Sequence, residues 1–214
     1  LEFSTGVNLA DAPDAAVQAV TCVRCVVGVK VSRAPYARIQ GCIGSDGSGG
    51  PGVLVSYSQG VSVSGCTVHN CVVGILIENS RSCVVQGNTC VGCTLGIRML
   101  SSDSCTLSAN ACDESYREGI ILRNSSECNI LGNTVVASSQ DPYLTNAGIR
   151  IVQQSMRNNV QQNTIRRGDQ TVQPAYGIWI ESDCDRNLVT NNDLYRSGTT
   201  AALHDEGTNR SEEH

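Results

Sequence analysis

The chain has 214 residues, a formal net charge of −5, 16% charged residues, 4% aromatics, 21 glycines and 12 cysteines. That length suits one domain with a sizeable core, or two small ones. The low charge content excludes an extended disordered chain, and the acidic balance argues against nucleic acid held by charge. No run of 18 apolar residues occurs, so no helical membrane span is expected.

Taken in chain order, one element keeps returning. It is a glycine followed by alternating aliphatics: Gly6-Val7-Asn8-Leu9, Gly28-Val29-Lys30-Val31, Gly52-Val53-Leu54-Val55, Gly74-Ile75-Leu76-Ile77 and Gly96-Ile97-Arg98-Met99. The series continues through Gly119-Ile120-Ile121-Leu122, Gly148-Ile149-Arg150-Ile151 and Gly177-Ile178-Trp179-Ile180, and a degenerate ninth copy stands at Thr200-Ala201-Ala202-Leu203. The glycines are 22, 24, 22, 22, 23, 29 and 29 residues apart.

A second mark follows each glycine by 14 or 15 residues: Val20, Cys42, Cys66, Asn88, Asn110, Asn133, Asn163 and Asn192. An aliphatic precedes each mark by three, as in Val85, Leu107, Ile130 and Val160, and a mostly apolar residue follows it by two. Three short alternating segments per period, with glycine and asparagine at the corners, describe one coil of a three-stranded solenoid. Period-2 alternation and abundant β-branched residues argue against a helical solenoid.

The pattern resembles the right-handed parallel β-helix superfamily, which includes pectate lyases, polygalacturonases, alginate epimerases and phage tailspikes. The resemblance runs from about Gly6 to Leu203. It implies an all-β fold: a single-stranded right-handed parallel β-helix of about eight coils, each of 22–29 residues. The expected β-helix domain is 1–205, followed by a polar tail over 206–214. Stacked coils place like residues on like, so the asparagines are expected to bond one another inside the solenoid. The Ala12-Pro13 and Ala34-Pro35 match, 22 residues apart, makes the first residues an ordinary coil. That implies more chain, or an oligomer partner, over the open edge.

Every cysteine except Cys184 falls on a repeat register. This favours free thiols filling stacked core rows over disulfides or a zinc site, although Cys22/Cys25 and Cys90/Cys93 have half-site spacing. No metal and no cofactor are expected.

Chemistry is expected on the outward positions two and four after each glycine. Two insertions, Val136 to Ala147 and Arg166 to Tyr176, flank that face on adjacent coils; a shorter one runs from Asp113 to Glu118. Tyr143, Arg150, Tyr176, Trp179 and Glu181 are the expected substrate-binding residues, because aromatic faces stack on sugar rings and arginine pairs with uronate carboxylates. A glycosidase needs two carboxylates, which Asp141, Asp169, Glu118 and Glu181 could supply. Asp141 and Asp169 are the expected catalytic pair if the chain is an enzyme. The polygalacturonase motifs are missing, Arg150-Ile151-Val152 lacks the family's lysine, and Asp141-Pro142-Tyr143 has tyrosine where epimerases have histidine. The reading is therefore a scaffold module of a larger virion or extracellular protein, binding surface polysaccharide as tailspikes do, as a trimer if the likeness extends that far. A lyase, hydrolase or epimerase on uronic-acid polymers is the alternative, and a purely structural repeat the third.

Overall fold

The computed structural model describes residues 3–47, 49–141 and 146–207. Among them there is no helix. Three parallel sheets of nine, eight and seven strands wind into a right-handed β-solenoid of about nine turns.

The nine-stranded sheet holds the glycine segments: Phe3–Ala10, Cys25–Ser32, Pro51–Ser56, Val73–Glu78, Leu95–Leu100, Ile120–Arg123, Ala147–Val152, Tyr176–Ile180 and Ala201–Asp205. The last is the degenerate ninth copy, so there is one coil more than the eight expected. Each strand pairs with the equivalent strand of the next coil, for example Ile75 with Ile97 and Ile97 with Ile120. Parallel neighbours lie about 4.8 Å apart, so identical positions form columns along the axis.

The innermost column reads Val29, Val53, Ile75, Ile97, Ile120, Ile149 and Ile178, all essentially sealed from solvent. Burying each such side chain stabilises the fold by about 1.5–3 kcal/mol. The glycine beside this column is required by a close approach. A Cβ on Gly74 would lie 2.5 Å from the Gly96 carbonyl oxygen and 2.6 Å from Cys90 Sγ.

At the corner after each strand of the eight-stranded sheet, polar side chains are buried in a bonded file. Asn110 Nδ2 donates to Asn133 Oδ1 at 2.9 Å and to the Val85 carbonyl at 2.9 Å. Its Oδ1 accepts from both Asn88 N and Asn88 Nδ2 at 3.0 Å. All four of its hydrogen-bonding positions are thus filled. Asn163 and Asn192 extend the file, and Cys66 N opens it by donating to Asn88 Oδ1. A second file, of serines, lines the corner after the nine-stranded sheet. There the backbone N–H groups of Ser58, Ser80, Ser102 and Ser125 donate to the hydroxyls of Ser80, Ser102, Ser125 and Ser155.

All twelve cysteines are buried as free thiols. Burial pushes the Cys66 thiol up to about 11 and those of Cys93 and Cys184 up to about 12. They act as small apolar residues whose S–H groups reach neighbouring carbonyls, as Cys128 Sγ reaches Ser102 O at 3.4 Å.

Candidate functional site

The outward face of the nine-stranded sheet is where side chains of differing chemistry converge. Arg150 and Trp179 occupy the same outward column on adjacent strands, and His204 follows on the next. The Arg150 guanidinium carbon sits 4.1 Å from the centroid of the Trp179 ring. Tyr176 lies 5.3 Å from Trp179, tilted by 59°, and stacks on His204 at 4.3 Å and 11°.

Two carboxylates clamp Arg150 from different sides. Its Nη1 donates to Glu118 Oε1 at 2.9 Å and its Nη2 to Glu181 Oε1 at 2.6 Å. The Glu118 side chain is fully buried, whereas those of Arg150 and Glu181 are 18% and 28% exposed. Glu118 closes the Asp113 to Glu118 insertion, immediately before the Gly119 strand position. From there its carboxylate reaches the Arg150 guanidinium on the following strand.

Of the substrate-binding residues expected from sequence, Arg150, Tyr176, Trp179 and Glu181 are brought together. Tyr143 lies outside the described residues. Asp141 hydrogen-bonds through its backbone N–H to the Tyr116 carbonyl at 3.0 Å, on the neighbouring coil. Asp169 is exposed on the second long insertion. Among the described residues, no group of three or more His, Cys, Asp or Glu side chains is placed to hold a metal ion.

Beside this cluster a cleft of about 190 Å³ opens, lined by Arg117, Ile121, Arg123, Arg150, Val152, Gln153 and Glu181. Ile121 and Val152 are buried there with Val73 and Leu95, forming a small apolar patch on the outer side of the sheet.

Two participants were not singled out from sequence. His204 belongs to the degenerate ninth coil, where the glycine signal is lost, yet it stands 25 residues after Trp179 in the same column. Glu118 was legible only as one carboxylate among four. Nothing in a one-dimensional reading shows that it reaches Arg150, 32 residues away.

The sequence matches, over residues 6–211, the family described as "Periplasmic copper-binding protein (NosD)". The chain belongs to the NosD family. No curated protein matches it. Among solved structures, this NosD-family chain is similar to the DFA-IIIase from Arthrobacter chlorophenolicus A6 in complex with GF2. The identity is 12% and the TM-score 0.72, over 92% of this chain and 56% of that one. It is also similar to a double mutant of the periplasmic alginate epimerase AlgG, at 16% identity and a TM-score of 0.74, over 88% of this chain and 47% of that one. At such identities the likeness is one of fold. The NosD-family chain spans about half the length of the solved proteins it matches.

Proposed function

We propose that the chain is a polysaccharide-binding β-helix module whose glycan lies along the outward face carrying Arg150, Tyr176, Trp179 and Glu181. The observation that supports this is the convergence of two aromatic rings, a clamped guanidinium and a partly exposed carboxylate beside an open cleft. Rings supply faces for sugar C–H groups, while Arg150 and Glu181 supply a donor and an acceptor for hydroxyls. The insertions bearing Asp141 and Asp169 would flank the glycan.

Binding fits the carboxylates better than cleavage does. Glu118 is fully buried and cannot reach a glycosidic oxygen. Glu181 is already held by Arg150. Both serve to fix one guanidinium, which orients a ligand without turning it over. The enzyme reading, a lyase, hydrolase or epimerase using Asp141 and Asp169, draws support from the two insertions lying on adjacent coils beside the same face. The names of the similar structures, an alginate epimerase and a DFA-IIIase with GF2, lend weight to a carbohydrate ligand in either case. The family description favours an extracytoplasmic setting over a virion.

Copper is not accommodated by the described residues. Soft copper selects thiolates, but the thiols here are sealed in the core, and burial holds Cys66 and Cys93 protonated at neutral pH.

The test is a screen of neutral and acidic polysaccharides that reads both retention and new reducing or unsaturated ends. Trp179→Ala is expected to weaken binding by about 1–3 kcal/mol, by analogy with flat ligands stacked on aromatics. Unchanged binding would reject the proposed face. Turnover by the intact chain, abolished by Asp141→Asn or Asp169→Asn, would replace the binding reading with the enzyme.

A further inference from the structure

Next to the Arg150 clamp, Arg98 and Arg123 have no salt bridge among the described residues, and Arg117 shares Glu118 with Arg150. Arg98 stands opposite Ile121, which stands opposite Arg150; Arg123 stands opposite Leu100 and Val152. Arg117 and Arg123 line the 190 Å³ cleft over Ile121 and Val152. Arg150 already uses Glu118 and Glu181. Arg117 Nε lies 3.7 Å from Glu118 Oε2, beyond hydrogen-bond reach. Arg123 Nε donates to the neutral amide oxygen of Gln153. Arg98 Nε is cut off from water and has no acceptor.

Among the described residues, no carboxylate forms a salt bridge with Arg98 or Arg123. Burial, followed by the positive charge of Arg123, lowers the Arg98 pKa from its ordinary value; Arg117 adds to this, while Glu78 and Glu118 oppose it. Like charges held this close raise the energy of the free protein, and an anion placed among them relieves it. The apolar lining contributed by Ile121 and Val152 limits water around such an anion, which strengthens the attraction.

We infer that this cleft is an anion subsite, in which Arg117 and Arg123 of its lining, with Arg98 on the neighbouring strand adding positive charge, receive an oxyanion substituent, a carboxylate or a sulfate, carried by the glycan. The subsite rests on the polysaccharide reading above and narrows its ligand to an acidic polymer. Arg150 and Trp179 would then contact the adjoining sugar, with the acidic group one step along the sheet.

The experiment uses the full chain and three soluble probes: polygalacturonate, dextran sulfate and unsubstituted dextran. Calorimetry is expected to show at least one acidic probe binding about 10-fold or more tighter than dextran, the size of a charge-assisted hydrogen bond. Whichever acidic probe binds identifies the oxyanion. Its advantage should shrink as salt rises from about 50 to about 500 mM, because exposed charge attraction is screened. Arg117→Gln and Arg123→Gln should each remove most of the advantage and leave dextran binding unchanged. Melting curves check that both variants fold, and the salt series on the unaltered protein tests the idea without them. Equal binding of dextran and both acidic probes, or full acidic binding in both folded variants, overturns the subsite and leaves the polysaccharide reading standing. Failure of all three probes to bind overturns both.

Discussion

The Arg150 guanidinium covers one face of the Trp179 ring at 4.1 Å, on the neighbouring strand of the same sheet. Glu118 and Glu181 hold the guanidinium over the ring, which sustains the cation–π contact. One face of Trp179 is thereby occupied, so a sugar bound as proposed would have to use its remaining surface or the stacked Tyr176–His204 pair.

The two salt bridges of Arg150 should differ sharply in worth. Arg150→Ala would leave the fully buried Glu118 carboxylate without its hydrogen-bonded cation, with only Arg117 at 3.7 Å remaining, costing up to about 3–5 kcal/mol. Glu181→Gln would alter a partly exposed pair and cost less than about 1 kcal/mol. Urea denaturation of the two variants measures the contrast. Equal losses would mean that Glu118 finds other compensation on burial.

Asn110→Ala should be among the most damaging single changes in the solenoid. It removes the acceptor used by Asn88 N and Nδ2, the donor to Val85 O and one of the two donors to Asn133 Oδ1. Buried groups left unpaired cost about 1–3 kcal/mol each, so a total loss of about 2–5 kcal/mol is expected from thermal or urea unfolding. A loss under about 1 kcal/mol would show that water enters the file and replaces the amide.

The residue before each asparagine of that file is left-handed. It is glycine at Gly87 (φ 64°) and Gly132 (φ 62°), but alanine at Ala109 (φ 52°) and glutamine at Gln162 (φ 56°). Side chains with a Cβ resist this region by about 1–2 kcal/mol. Gln162→Gly, at an exposed position, should therefore stabilise the protein by up to about 1 kcal/mol, after the extra freedom glycine gives the unfolded chain is subtracted. A lower melting temperature in this variant would contradict the turn assignment.

Stability should fall as the medium becomes alkaline. The thiols of Cys66, Cys93 and Cys184 are raised from 9.0 to about 11, 12 and 12 in the folded chain, with burial as the leading cause. Below pH 9 they are protonated in both states, and their contribution is fully present. Between pH 9 and about 12 the unfolded chain releases these protons while the folded chain keeps them, so the equilibrium shifts toward unfolding. Urea midpoints measured across pH 8 to 10.5 should decline. A thiol reagent on native protein at pH 8 should react slowly and report about twelve thiols after denaturation. Fast native reaction would place cysteines at the surface.

The coil repeat was legible from sequence because parallel stacking forces the same constraint on every coil. A glycine must stand wherever a Cβ would meet the next coil's carbonyl, as at Gly74, and aliphatics must alternate to keep one side of each strand inward. The serine file was legible in the same way but went unread: Ser58, Ser80, Ser102 and Ser125 each stand six residues after a strand glycine. Serine is common at turns, so its periodicity is easily absorbed into the corners.

By itself, then, the sequence determined the fold class, the columns of the core and the face on which aromatic and charged residues collect. Local spacing sets which side of a strand a residue faces, and the period sets which residues share a column. The tertiary structure decided that Glu118 reaches across to clamp Arg150, that Arg150 covers Trp179, that His204 joins the aromatic stack, and that Arg98 and Arg123 are left without a salt bridge among the described residues. Those outcomes depend on side chains leaning across two or three strands, and on insertions folding back over the sheet. Such distances are fixed by rotamers and packing between coils, which no spacing along the chain encodes.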